Sequence, residues 1–211
     1  MEPESKQKKP LGRYHHGELR RALIDTALEI VETEGLEALT LRAVAHRLGV
    51  SHAAPIYHFP TKADLILALA EEGFRLFADS LESALEGSLE GGVERVGQAY
   101  MAFALGHPNH YRVMFGLELT TIRGMPESFR AESERAFTVL AKISDDLNAP
   151  GGLGLRSLYL WSLVHGLVML KLGPLRSRVA PEEEAWLLGL MHEVIKAAAR
   201  MISEENRGDW T

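Results

Sequence analysis

Four polar side chains near the front of the chain have the chemistry to hold a phosphate backbone. Thr40 offers a hydroxyl, and Tyr57, His58 and Lys62 add a phenol, an imidazole and an ammonium group. They fall at the predicted ends of short helices, where helix N-termini also present N–H groups. The pattern favours contact with an anionic polymer, and the alternative for Tyr57 is packing within the protein.

A second set of side chains has the composition of a small-molecule site. Trp161 and His165 are one helical turn apart and share a face of an otherwise apolar helix. Aromatic side chains and a methionine from neighbouring predicted helices complete an apolar cavity with few polar groups. The candidate ligand-binding residues are Tyr100, Phe103, Tyr111, Met114, Phe115, Phe137, Trp161 and His165. The alternative is that all of them are ordinary core residues.

The chain carries no convincing signal for metal binding or catalysis. His107 and His110 can share one face of a helix, but no third ligand is near in sequence and Pro108 disturbs the helix start. The absence of Cys excludes disulfides, thiolate metal sites and a cysteine nucleophile. There is no Gly-rich phosphate loop and no G-x-S-x-G motif, and residues 151–154 indicate a helix break. We expect no catalytic residue, no cofactor and no metal.

The elements that position these residues are all predicted to be helices. Leu19, Leu23, Ala27 and Ile30 recur at helical spacing, and no segment alternates with period two. The predicted class is all-α, with a three-helix amino-terminal domain followed by a larger helical domain. The nine predicted helices span about 17–34, 40–48, 51–58, 61–85, 91–106, 109–115, 126–147, 153–172 and 181–201.

Two short helices joined by a tight turn form the most informative pattern. Ala45 is small where two helices must approach closely, Gly49 supplies the turn conformation, and Val50 fills the space beneath the turn. Thr40 and Ser51 are the predicted N-caps of the two helices. Such a helix-turn-helix can insert its second helix into a major groove of DNA, and the alternative is an ordinary helical hairpin.

Charge is distributed unevenly along the chain. The formal net charge is −6, but residues 1–21 carry six Lys and Arg against three acidic residues. Attraction to DNA is thus confined to the front, where a basic arm could reach a minor groove or could simply be solvated. The longest apolar run, 158–170, is too short to span a membrane, and the amino terminus has no secretory signal. We expect a cytoplasmic protein with no membrane partner.

The first third of the chain resembles the DNA-binding domain of the TetR family of transcriptional regulators. The resemblance rests on residues 39–51, LTLRAVAHRLGVS, together with His58-Phe59-x-x-Lys62-x-x-Leu65. It implies that Arg42 contacts a base, most naturally guanine, and that the start of the second short helix faces base edges. The DNA-binding residues that it implies are Thr40, Arg42, Ala43, Ser51, His52, Ala53, Ala54, Tyr57, His58 and Lys62.

This chain departs from the family pattern at two positions of the second short helix. The family usually shows Leu-Tyr-x-His-Phe where this chain has Pro55-Ile56-Tyr57-His58-Phe59. The phenol is therefore displaced by one residue, about 100° around the helix, which puts its phosphate contact in question. Pro55 lacks an N–H, which a first helical turn tolerates.

In the larger domain, Trp161-x-x-x-His165-Gly166 is similar to a Trp-His-Gly signature of one TetR subgroup, where Gly166 would allow a close helix approach.

The expected organisation is a basic flexible arm (1–14), a helix-turn-helix domain (15–61) and an effector-binding and dimerisation domain (62–211). Helix 153–172 is apolar on nearly every face and needs cover on two sides, which favours a homodimer through the last two helices. The resemblance implies double-stranded operator DNA and a small-molecule effector as partners. We predict a ligand-responsive repressor released by a small apolar or amphipathic effector. A small-molecule enzyme and a protein–protein adaptor without DNA binding are the alternatives.

Overall fold

The computed structural model describes residues 16–86, 91–144, 148, 154–173, 175 and 177–205. All regular structure in these ranges is helical, which confirms the all-α prediction. The helices are α1 (His16–Glu34), α2 (Leu41–Leu48), α3 (Ala53–His58), α4 (Lys62–Leu85), α5 (Gly92–Gly106), α6 (Pro108–Met114), α7 (Leu117–Thr120), α8 (Glu127–Ser144), α9 (Leu155–Leu172) and α10 (Glu184–Glu205).

All nine predicted helices are present, and α7 is an additional helix of a single turn. A 3-10 turn, Pro181–Glu183, leads into α10. The predicted basic arm, 1–14, and the predicted break at 149–152 lie outside the described residues. None of the described helices combines the length and the apolar character needed to cross a membrane.

The chain divides into two compact units, Met1–Leu69 and Ala70–Thr211. The boundary falls inside α4, which begins at Lys62. In the first unit, α1 buries the apolar stripe that its sequence predicts, including Leu23, Ala27 and Ile30. This stripe packs on α2, whose Val44 and Ala45 are fully buried. The core of the first unit is therefore formed between α1 and α2, and this packing holds the helix-turn-helix in place.

Local signals end α2 as the sequence predicts. The Thr40 hydroxyl accepts the Ala43 N–H at 3.0 Å and caps the helix. Gly49 closes it in the left-handed conformation, with φ of 73°. The N–H groups of Gly49 and Val50 then bond back to the His46 and Ala45 carbonyls, the pattern of a Schellman motif. A side chain at position 49 would be strained, which explains the glycine.

The prediction that Ser51 caps α3 is wrong. The helix begins at Ala53 with His52 at the N-cap position, and no side chain bonds to its free N–H groups. The Ala54 N–H instead bonds to the backbone carbonyl of Ser51 at 3.0 Å, so the turn closes through the main chain and has no need of the hydroxyl. By contrast, α4 begins with a capping box: the Thr61 N–H donates to Asp64 at 2.8 Å, and the Asp64 N–H donates to the Thr61 hydroxyl at 3.2 Å.

The second unit is built around α5, which contacts α8, α9 and α10. It packs tightly at Gly97, where an added Cβ would lie 2.7 Å from a methyl group of Ile195 on α10. On α9, Leu160, Val164 and Val168 are buried, while the opposite side of the helix is exposed. Because α9 is apolar on nearly every face, its one-sided burial leaves apolar side chains exposed in the single chain.

The close helix approach expected at Gly166 does not occur within the chain. No atom lies within 4 Å of a Cβ built at this position. The physical reason is its place on α9, because Gly166 lies on the exposed side, opposite the buried stripe. Gly97 on α5 has the role that the sequence assigned to Gly166.

Candidate DNA-binding and ligand-binding sites

The two arginines of α2 have different surroundings. Arg47 donates to the Thr33 hydroxyl at 3.1 Å and forms an ion pair with Glu34, which ties α2 to the end of α1. Arg42 is exposed to solvent. The guanidinium that the sequence assigns to base recognition is therefore presented outward, whereas the second guanidinium belongs to the packing of the unit.

The exposed surface of α3 includes a residue that the sequence analysis did not select. His52 and Ala53 are exposed at its start, and Tyr57 is 75% exposed near its end. Ile56 is also 52% exposed and lies one turn beyond His52 and Ala53. The available signal was its position, because Ile56 stands where the family usually has tyrosine. The displaced phenol of Tyr57 nevertheless remains at the surface.

Several residues hold α3 and the start of α4 against the rest of the first unit. Pro55 is buried within the first turn of α3, where its missing N–H costs no helical hydrogen bond. Arg20 of α1 lies over the Phe59 ring at 5.3 Å, a cation–π contact. Lys62 is half-buried and donates to the Leu36 carbonyl at 3.4 Å. An ammonium group has three donors, so this contact leaves two for a phosphate.

The second unit contains an apolar cavity at the position of the predicted ligand set. Its free volume is about 40 Å³, room for a few water molecules. The Tyr100, Phe115, Phe137 and Trp161 side chains line it as predicted. The lining residues that the sequence analysis missed include Phe74, Phe77, Leu81, Val96, Gly97, Leu160, Val164 and Ile195. A ligand larger than a few atoms must part these side chains in order to enter.

The other four predicted ligand-binding residues do not line this cavity. Phe103 is buried against Phe77, with ring centroids 5.0 Å apart. Met114 is buried where α6 meets Gly73 of α4. The remaining two, Tyr111 and His165, lie beside the cavity in a hydrogen-bonded cluster with Tyr100.

This cluster joins three helices of the second unit. The hydroxyl oxygens of Tyr100 and Tyr111 are 3.0 Å apart. His165 Nδ1 lies 2.7 Å from the Tyr111 hydroxyl and 3.1 Å from that of Tyr100. The Trp161 ring contacts His165, as predicted from their spacing. Chain positions up to 65 residues apart are thus brought together.

Burial fixes the protonation of the cluster. Desolvation lowers the pKa of His165 below its ordinary 6.5, so the imidazole is neutral at pH 7. Burial raises the pKa of Tyr100 to about 12, and burial and the adjacent Tyr100 raise the pKa of Tyr111. Both phenols therefore keep their protons. We assign the Tyr111 hydroxyl as donor to Nδ1, with the imidazole proton on Nε2.

A second, more open cavity lies beside α6 and the end of α9. It has a volume of about 180 Å³, and its lining includes Tyr111, Phe115 and the cationic Arg112. Arg112 donates to the Asn109 side chain at 3.1 Å. The Phe115 ring borders both cavities. The two cavities differ in charge, because only the second has a cation in its wall.

His107, the residue before α6, and His110 within α6 lie close together. The rings of His107 and His110 are 5.9 Å apart, and His110 faces Glu72 with 3.6 Å between Nε2 and Oε1. No group of three or more potential metal ligands comes together in the described part of the chain. Burial, and secondly the electrostatic effect of the neighbouring His110, lower the pKa of His107.

Two family models match separate parts of the chain. The model for bacterial regulatory proteins of the tetR family matches residues 23–69, and the model described as Tetracyclin repressor-like, C-terminal domain, matches residues 93–193. Tetracycline repressor protein class C of Escherichia coli is 50% identical over 52 residues. That match spans 25% of this chain and 24% of the repressor, so only about a quarter of that curated relative is covered.

Solved structures share the fold over nearly the whole chain. A protein of unknown function from Rhodococcus sp. RHA1 is 30% identical with a TM-score of 0.68, covering 92% of this chain and 97% of that one. A tetR-family regulatory protein from Rhodococcus RHA1 is 19% identical, with a TM-score of 0.64 and coverage of 87% and 96%. PfmR from Thermus thermophilus, a TetR family transcriptional regulator, is 17% identical, with a TM-score of 0.62 and coverage of 85% and 96%.

The helix-turn-helix of the first unit and the all-helical second unit have the architecture of the TetR family of transcriptional regulators. The two family models together extend over both units, and the chain belongs to the TetR family. Regulators of this family bind operator DNA, respond to small-molecule ligands and form dimers. They are transcription factors and not enzymes, which removes the enzyme alternative.

Proposed function

We propose that this protein is a homodimeric repressor that leaves its operator when a small apolar or amphipathic effector enters the cavity of the second unit. The observation that carries the proposal is the outward presentation of Arg42 and of the exposed surface of α3 on a helix-turn-helix of the family. The Trp161, His165 and Gly166 spacing supports placing the chain in the Trp-His-Gly subgroup.

The proposed DNA interface assigns different tasks to its residues. Arg42 reads a guanine through its two-pronged donor set, and His52 with Ala53 and Ala54 faces the base edges. The methyl groups of Ala53 and Ile56 suit contact with a thymine methyl. The sugar–phosphate backbone of the DNA lies beside Thr40, Ala43 and Ser51. Its phosphates are held by Tyr57, His58 and Lys62. Base contacts give specificity in this scheme, and the phosphate contacts give affinity.

Gel-shift titration against the DNA upstream of the protein's own gene tests this interface. Arg42→Ala is expected to lose about 1–3 kcal/mol of binding to the operator and to relax specificity at one base pair. Lys62→Ala should weaken binding to all sequences and reduce the salt slope by about one. Arg123→Ala, an exposed change in the second unit, is the matched control. A wild-type protein with no salt-dependent DNA binding would refute the proposal.

The dimer is proposed to form through the exposed sides of the last two helices. On α9 the exposed apolar residues follow one stripe, and on α10 a second stripe includes Trp186 at 65% exposure. The apolar residues exposed on the two helices are Leu155, Leu158, Tyr159, Met169, Leu170, Trp186, Leu190 and Met201. Gly166 and Gly189 also have open space around them, which suits a close approach of helices from two copies.

Analytical ultracentrifugation of a charged variant tests the dimer. Leu158→Asp places a carboxylate in the middle of the α9 stripe and should convert the dimer to monomer, because burying an unpaired charge is strongly unfavourable. Ala131→Asp adds the same group at an exposed position of α8 and should leave the dimer intact. Equal dimerisation of the two variants would locate the interface elsewhere.

An effector can release the protein from its operator only if it binds two conformations of the protein with different affinities. If the effector prefers a conformation that has lower operator affinity, linkage obliges the operator to weaken effector binding by the same factor. A roughly 100-fold loss of operator affinity needs a difference of about 2.7 kcal/mol. The small free volume of the apolar cavity supports such a difference, because an effector must displace its walls and so cannot bind equally to open and closed forms.

A further inference from the structure

We infer that the apolar cavity of the second unit selects an uncharged aromatic ligand carrying one hydroxyl group, which it binds between the Trp161 indole and the Tyr100 phenol. This inference rests on the proposed function, in which the cavity is the effector site. It adds the charge, the ring character and the polar anchor of the ligand. Three properties of the cavity wall support it.

The first property is the absence of charge. Among the described residues that line the cavity there is no Lys, Arg, His, Asp or Glu. The nearest imidazole in the cluster, His165, is neutral because burial lowers its pKa. A carboxylate or an amine in this cavity would lose its water without gaining a counter-ion, which is costly. The cavity therefore discriminates against ions of either sign.

The second property is the density of rings. Six aromatic side chains line the cavity: Phe74, Phe77, Tyr100, Phe115, Phe137 and Trp161. They already meet one another edge to face, as in the Phe77–Tyr100 and Phe137–Trp161 pairs at 4.8 and 5.2 Å. A flat aromatic ligand can take up the same geometry with several of these rings at once.

The third property is the direction of the hydrogen bonds. With Nδ1 of His165 as acceptor, the Tyr111 hydroxyl donates to it and the Tyr100 hydroxyl donates to Tyr111. Each hydroxyl proton of the cluster thus has an acceptor, and the Tyr100 oxygen can still accept a proton from a further donor. Because Tyr100 and Trp161 both line the cavity, a ligand hydroxyl there can accept from the Trp161 N–H and donate to Tyr100. The ligand hydroxyl then makes two hydrogen bonds, and no hydroxyl proton of the cluster loses its acceptor.

Isothermal titration calorimetry without DNA tests the inference with two probes of the same skeleton, 2-naphthalenemethanol and 2-naphthoate, at about pH 7.5. The alcohol is expected to bind at least tenfold more tightly than the carboxylate. Tyr100→Phe and Trp161→Phe should each weaken the alcohol by about 5- to 10-fold, the value of one hydrogen bond. They should leave any binding of the carboxylate unchanged. Thr138→Val, which removes an exposed hydroxyl on α8 outside the cavity, is the matched control.

Three outcomes would overturn the inference. The first is that the carboxylate binds as tightly as the alcohol or more tightly. The second is that both variants bind the alcohol with unchanged affinity. The third is that neither probe binds to a protein that circular dichroism shows to be folded. Preference for the carboxylate that is lost in Arg112→Ala would assign the ligand to the second cavity. Because calorimetry reads the ligand alone, a failed gel shift with selective alcohol binding refutes the repressor proposal and leaves the ligand chemistry standing.

Discussion

The Tyr100–Tyr111–His165 triangle predicts an unusual pattern of stability losses. Removing the Tyr111 hydroxyl deprives Nδ1 of its 2.7 Å donor, but the Tyr100 hydroxyl is 3.1 Å away and can turn to replace it. Removing the Tyr100 hydroxyl leaves Tyr111 donating as before. Each single change therefore loses about one hydrogen bond, on the order of 1 kcal/mol. Only the double change leaves the Nδ1 acceptor with neither hydroxyl donor.

The double variant Tyr100→Phe/Tyr111→Phe should cost more than the two single variants together. An acceptor left without a partner in a buried site costs about 1–3 kcal/mol, so the excess over additivity is expected to be about 1–2 kcal/mol. Tyr111 is fully buried, which limits access of water to the vacated site. The coupling between neighbouring residues can have either sign, so its sign is informative.

Urea unfolding of the four proteins at one protein concentration measures this coupling, since a dimer's stability depends on concentration. Thr138→Val, which removes a hydroxyl at an exposed position of α8, serves as control and should change the free energy of unfolding by less than about 0.5 kcal/mol. Additive or smaller-than-additive losses would contradict the hydrogen-bond assignment. An altered denaturant slope in the double variant would instead indicate a changed native or denatured state.

Two further predictions concern packing and pH. Gly97→Ala places a methyl 2.7 Å from Ile195, whereas Gly106→Ala on the same helix meets open space, so the first variant should be less stable than the second by about 1–3 kcal/mol in thermal unfolding. Since the pKa of His165 is lowered in the folded state, the unfolded state binds more protons below about pH 6.5. The free energy of unfolding should fall as pH decreases from about 6.5, and His165→Asn, which cannot titrate, should show a shallower fall in urea titrations; identical profiles would refute the assignment.

The sequence identified the DNA-binding unit because its signals are local. A cap such as Thr40, a left-handed glycine such as Gly49 and the box of Thr61 with Asp64 each act within a few residues. Their positions are fixed by the order of residues and do not depend on the tertiary contacts of the helices. The error at Ser51 has the same origin. Its side-chain hydroxyl and its main-chain carbonyl can both accept a hydrogen bond from the turn that follows, and in the structure the carbonyl accepts the Ala54 N–H.

The tertiary structure decided which side of each apolar helix faces the cavity. The spacing of Trp161 and His165 predicted a shared face, but α9 is apolar nearly all round and its sequence does not mark the buried side. Packing of α5 on α9 and α10 selects that side, with Gly97 at the close contact and Gly166 in open space. The meeting of Tyr100, Tyr111 and His165 depends on the same long-range packing. Local residue order specifies where helices start and stop, whereas burial depends on atoms that lie far away in the chain.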